Sequence, residues 1–216
     1  CAEWWVWEIV IVLSSLLPPD TARGVDADMY VAVMGILLQL ASMTYMVIMA
    51  VQQAAATRVA VELGRKRPAQ AQIAAGVCLL AGRVFITAIC VSLVAARAHV
   101  PLLFTDKEGV RRLTAAALPW MASSSWNDCV NGIYNGVLRG CGRQWLAAVI
   151  NTLGNWGIGL PLSALLGLRA GYGVRGLWAG LIVAMVAVNV AYFWKFLRLD
   201  WEQEALRELH PEGHNH

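Results

Sequence analysis

In the run Ser123–Gly142 (SSSWNDCVNGIYNGVLRGCG), Ser124, Asp128, Asn131 and Asn135 stand at i, i+4, i+7 and i+11. At helical spacing these positions form one stripe. On a soluble helix such a stripe is an ordinary wet face. Within apolar chain it is a carboxylate and three hydrogen-bonding groups in a low-dielectric place. Such groups are costly there, and they line a pathway or pair with one another. Low dielectric disfavours the charged form of a carboxylate, so Asp128 can exchange a proton or hold a cation. The plainer alternative is a structural carboxylate hydrogen-bonded between helices.

Other apolar stretches carry polar groups too. Glu3 and Glu8 are five positions apart, about 140° around a helix, and do not share a face. One can face a cavity while the other meets a neighbouring helix, or both are interfacial glutamates. Trp4, Trp5 and Trp7 read as an interfacial aromatic belt or as cation–π surfaces for an organic cation. Gln39, Ser42 and Thr44 sit in the second apolar segment. Asn151 and Asn155, at i and i+4, are expected on one helix face, as interhelical hydrogen-bonding groups or as cavity wall. Arg83 lies inside the third segment and either snorkels or pairs with a carboxylate.

Cys1, Cys78, Cys90, Cys129 and Cys141 show no C-x-x-C spacing and read as small buried hydrophobes. His210, His214 and His216 resemble a weak metal tract, but a disordered tail with no metal is the reading preferred. No G-x-S-x-G, H-E-x-x-H or P-loop is present, so no enzyme motif is on offer.

The elements that position these groups follow from composition. The chain has 216 residues, 58% hydrophobic and 14% charged. Soluble domains carry roughly 25% charged residues, so the class is an α-helical integral membrane protein. The net charge of +3 is mild. No basic run interleaves with aromatics, which argues against a nucleic-acid partner.

Six apolar segments are expected to span, at residues 3–17, 29–61, 71–100, 113–138, 145–166 and 173–197. Pro119 is placed to kink the fourth. The first is about 15 residues, about 22 Å, short of a ~30 Å hydrocarbon core. The chain therefore reads as a piece of a longer protein that begins inside a helix, with no signal peptide. Residues 199–216 form a charged amphipathic tail. The dense GRKRP loop (Arg65, Lys66, Arg67) places that tail on the cytoplasmic side.

Several runs resemble the multidrug and toxic compound extrusion (MATE) transporters, closest to their plant-type branch. They are CAEWWVWE at Cys1–Glu8, TRVAVELG at Thr57–Gly64, NGVLRGCG at Asn135–Gly142, NTLGNWGIGLP at Asn151–Pro161, GLWAG at Gly176–Gly180 and Asp200-Trp201. The resemblance implies twelve helices in two six-helix lobes, with residues 1–198 as the second lobe, helices seven to twelve. It implies multidrug efflux by proton-coupled antiport and alternating access, with Asp128 and Glu3 as the proton- and substrate-coupling carboxylates. Gln39 stands where some relatives carry a glutamate. Val61, Ile48, Asn155 and Trp156 depart from the family's usual Asn, Pro and tyrosine pair.

The cavity lining is expected to include Trp7, Glu8, Gln39, Ser124, Asn131, Asn135, Asn151 and Asn155. No cofactor is expected beyond the coupling ion, a proton or alternatively Na+. Expected partners are the bilayer, the N-terminal lobe and a small organic substrate: a cation, flavonoid, alkaloid or citrate. The expected location is the plasma or vacuolar membrane. The alternative is a non-transporting half or membrane scaffold that needs a partner lobe.

Overall fold

The structure, a computed structural model, describes residues 2–17 and 25–207, with the side chains of residues 2–4 and 207 left aside. The elements are helices: α1 (Ala2–Ser15), α2 (Ala27–Gly64), α3 (Pro68–Ala95), α4 (Glu108–Gly140), α5 (Gln144–Arg169), α6 (Gly173–Leu197) and α7 (Trp201–Arg207). Residues 18–24 and the tail histidines lie outside the described residues.

Boundaries differ from expectation where local chemistry decides them. The third segment was expected to reach Val100, but α3 stops at Ala95. Pro101 lacks the N–H that would continue the ladder, and the chain instead makes a 3₁₀ turn over Val100–Leu103. α4 starts five residues earlier than expected, at Glu108, whose carboxylate accepts from Arg112 one turn on at 2.8 Å. α2 runs for 38 residues, about 57 Å, so it tilts in a bilayer or emerges from it. The tail contains an ordered helix, α7.

α2, α3, α5 and α6 are each long and apolar enough to cross a membrane, and α1 adds a shorter apolar stretch, Trp5–Ser15. α4 has the length, at 33 residues, but its polar stripe lowers its apolarity. Its position accounts for this. α4 packs against α2, α3, α5 and α6, which shield it on several sides. The lipid-type faces lie elsewhere: Leu80 and Val84 of α3 are 67% and 65% exposed, and Val190 and Leu197 of α6 point outward likewise. Arg83 is exposed on α3, beside the Tyr134 hydroxyl.

Two apolar clusters hold the bundle. One gathers Met34 and Leu37 of α2, Leu118 and Met121 of α4, and Leu177 and Trp178 of α6 around Val6 and Val10 of α1. The other joins Val59 and Leu63 of α2, Ala71 and Leu79 of α3, and Ile133 and Val137 of α4 to Trp201 of α7. Small residues let α4 approach α2. A Cβ on Gly136 would collide with the Gln52 carbonyl, and one on Gly140 would lie 2.7 Å from the Ala56 carbonyl oxygen. With Gly132 this makes a small-xxx-small ridge, the packing mode that needs no hydrophobic drive between helices in lipid. Thiols add to the α3–α4 seam: Cys90 donates to the Ala122 carbonyl at 3.2 Å. No two described cysteines are bridged.

Candidate substrate and ion cavity

α1, α2, α4, α5 and α6 surround a cavity of about 310 Å³. α4 contributes Asp128, Asn131 and Asn135, three of the four stripe residues, with Gly132 between them. α1 contributes Trp7 and Glu8, α2 contributes Ser42, Tyr45, Met46 and Gln52, α5 contributes Asn155, and α6 contributes Leu181 and Met185. Asp128 is half-buried and Glu8 exposed. Glu3 lies in α1, and its side chain falls outside the described residues.

Trp7 is anchored as well as exposed to the cavity. Its ring stands 5.4 Å from that of Trp178, which is fully buried. This sets Trp7 apart from Trp5, which is 62% exposed. An indole held on one side by a core aromatic presents a fixed edge or face to the cavity at little entropic cost.

Three of the expected lining residues stand elsewhere. Ser124 is buried and donates its hydroxyl to Met185 Sδ at 3.3 Å, one layer behind the wall. Asn151 is 1% exposed, and its side-chain oxygen accepts from Asn131 Nδ2 at 3.0 Å. Gln39 is exposed and outside the lining, because the α2 lining stripe through Leu38, Ser42 and Tyr45 lies about a quarter turn away. Thr44 is satisfied within its own helix, donating to the Leu40 carbonyl at 3.0 Å.

Asn151 and Asn155 both face α4 but take different places. α5 switches to π-helix over Leu153–Gly159, where hydrogen bonds close onto the fifth residue and each turn holds an extra one. Asn151 is buried behind Asn131, and Asn155 reaches the cavity. Gly154 and Gly159 sit against Val188 and Ala184 of α6, which allows the widened turn to pack.

Gln52 and Tyr45 are lining residues that sequence reading missed. Their signal was a helical stripe with Leu38 and Ser42, hidden because Leu and Tyr do not read as polar. Gln52 needs the tertiary structure, since only the Gly132–Gly136 groove lets α2 bring it against α4.

The chemistry of this wall is specific in type. Glu8 and Asp128 supply negative charge. Gln52, Asn131, Asn135 and Asn155 supply amides that donate or accept. Trp7 and Tyr45 supply π faces, and Met46 and Met185 supply soft adaptable surface. Such a lining suits a small organic cation or a proton held between carboxylate and amide. Among the described residues no group of three or more His, Cys, Asp or Glu is arranged to hold a metal ion.

Comparison with known proteins agrees with this architecture. A family model described as MatE matches residues 1–165. Protein DETOXIFICATION 48 of Arabidopsis thaliana is 34% identical over 207 residues, covering 96% of this chain and 38% of that protein. Multidrug and toxin extrusion protein 2 of Mus musculus is 34% identical over 205 residues, 95% of this chain and 34% of that protein. The crystal structure of the eukaryotic MATE transporter AtDTX14 superposes with a TM-score of 0.87 at 28% identity, over 96% of this chain and 45% of that one. The chain thus spans less than half the length of each of these relatives.

Proposed function

Because the chain belongs to the MatE family of multidrug and toxin extrusion proteins, we propose that it forms one lobe of a secondary efflux transporter that exchanges protons for an organic cation. The observation that carries this reading is the joint placement of Asp128 and Glu8 with amide and aromatic side chains in one cavity of a multi-pass membrane bundle. A carboxylate in such a wall can be neutralised by a proton or balance a bound cation, and it does not do both well at once. Alternating access between two lobes then converts that competition into exchange.

In this reading Asp128 is the principal proton and substrate group. Glu8 is the second carboxylate of the described cavity, and Glu3 is the partner that the family resemblance implies. Asn131, Asn135, Asn155 and Gln52 orient the bound cation or take over the hydrogen bonds of the protonated acid. The two carboxylates favour a cationic or alkaloid-type substrate over citrate, whose charges they would repel, with a flavonoid between the two. The proton is the coupling ion we favour over Na+, since one proton neutralises a half-buried carboxylate such as Asp128 without needing a full shell of oxygen ligands. The GRKRP loop supports a cytoplasmic C-terminus in a plasma or vacuolar membrane.

The test is substrate-driven proton flux in proteoliposomes containing the full-length protein. Addition of an organic cation such as tetraethylammonium on one side should alkalinise or acidify the lumen according to the imposed gradient. Cation movement with no linked proton movement would overturn the coupling. A second reading is a half-transporter or scaffold that acts only with a separate partner lobe. Its test is whether residues 1–216 move the cation alone or only when co-expressed with an N-terminal lobe.

A further inference from the structure

The described part of the tail is built to hold a joint. α7 begins two residues after the turn that ends α6, and Asp200 Oδ1 caps it by accepting from the backbone N–H groups of Glu202 and Gln203, each at 3.1 Å. Trp201, Glu204 and Ala205 are 9%, 2% and 7% exposed, so one face of this short helix is buried. Trp201 sits edge-on to Phe196 at 5.8 Å and shares an apolar cluster with Leu63, Leu138 and Cys141. A buried glutamate on such a face needs a partner, and Glu204 Oε1 accepts from the Arg143 guanidinium. Arg143 is the joint between α4 and α5. Its N–H donates to the Leu138 carbonyl at 2.8 Å, and its carbonyl accepts from Leu146 at 3.1 Å, opening α5 just after Gly142 turns at φ +68°.

The two helices that meet at Arg143 are those that carry Asp128, Asn131 and Asn135 on one side and Asn151 and Asn155 on the other. We propose that Glu204 is a positioning residue: through Arg143 the tail helix clamps the α4–α5 joint and so sets the Asn131–Asn151 register behind the cavity wall. The claim about substrate binding rests on the efflux reading, and the clamp itself does not.

Two measurements on the full-length protein separate these. The first needs no transport. In a background with the native cysteines replaced, the cysteine pair introduced by Asn131→Cys and Asn151→Cys is oxidised with copper phenanthroline. Cross-link yield should fall on Glu204→Ala and return in the exchange variant Arg143→Glu with Glu204→Arg, and an unchanged yield overturns the clamp. The second uses the native asparagines and tetraethylammonium as probe. Glu204→Gln should raise KM by at least about fivefold, the low end of coupling between sites, with kcat changed by less than about twofold, and the exchange variant should restore it. A normal KM beside a lowered cross-link yield overturns the positioning role and leaves a purely structural one. Failure of the unmodified protein to move the probe would count against the efflux reading, and the cross-linking result would then decide the clamp alone.

Discussion

The side-chain amide of Asn131 on α4 donates to the side-chain oxygen of Asn151 on α5 at 3.0 Å. Asn131 also lines the cavity, whereas Asn151 is buried behind it. One hydrogen bond therefore ties a wall residue to the layer that holds it. Asn131→Ala leaves a buried amide without its donor, a loss of about 1–3 kcal/mol. A double-mutant cycle with Asn151→Ala should return a coupling near ~0.6 kcal/mol and no more than about 1.7, the range for polar pairs between membrane helices. Thermal unfolding in detergent measures it, and additive single effects would refute the pairing.

Asp128→Asn should abolish substrate-linked proton flux while leaving membrane insertion and detergent stability near those of the unmodified protein. Losing a charged partner for a bound cation costs about 1.5–3 kcal/mol, so cation affinity should also drop by roughly 10- to 150-fold. Glu8→Gln should weaken cation binding less, because Glu8 is exposed to screening and Asp128 is half-buried. Equal effects from the two substitutions would contradict this order.

Trp7→Ala removes both an anchor and a cavity surface. The pair with Trp178 is worth about 0.5–1.5 kcal/mol beyond its area, and a desolvated cation–π contact about 2 kcal/mol. Stability and cation affinity should fall together. Trp7→Phe should recover most of the stability and only part of the affinity, as read by unfolding and by equilibrium binding of tetraethylammonium.

Gly136→Val should destabilise the bundle by about 1–3 kcal/mol through overpacking, because its new atoms meet the Gln52 backbone. Gly35→Ala, where a Cβ meets nothing within 4 Å, should be neutral or slightly stabilising by comparison. Because Gly136 also seats Gln52, the Gly136→Val protein should lose cation affinity as well as melting temperature.

Gln39→Ala should leave binding and transport within about twofold of the unmodified protein, since Gln39 is exposed and off the cavity stripe. A large loss of binding would contradict the placement of Gln39 off the cavity stripe.

Much of the cavity was legible because its residues obey a local rule. Asp128, Asn131 and Asn135 lie on one uninterrupted α-helix, so their spacing alone puts them on one wall. Trp7 and Glu8 were legible as polar or aromatic groups in an apolar helix. Asn155 lines the cavity as expected, whereas Asn151 was misplaced because its depth depends on Asn131 of α4, which donates to its side-chain oxygen and stands between it and the cavity. Gln52 and the glycine ridge at Gly132, Gly136 and Gly140 were missed because their meaning lies in a neighbour 80 or more residues away in the chain.

From sequence alone come the membrane class, the all-helical architecture, the family and the polar stripe of α4. The family rests on the resemblance of several runs along the chain. The class, the architecture and the stripe rest on composition or on periodicity within one segment, where backbone hydrogen bonding without water leaves the helix as the sole ordinary solution for a single apolar stretch. Only the tertiary structure decided which polar groups share the cavity, which stand behind it, and that α7 returns to bind Arg143 through Glu204. Those relations depend on how closely α2 and α5 approach α4. That distance is set by the glycines and by the widened turn of α5, and neither acts until the helices are packed.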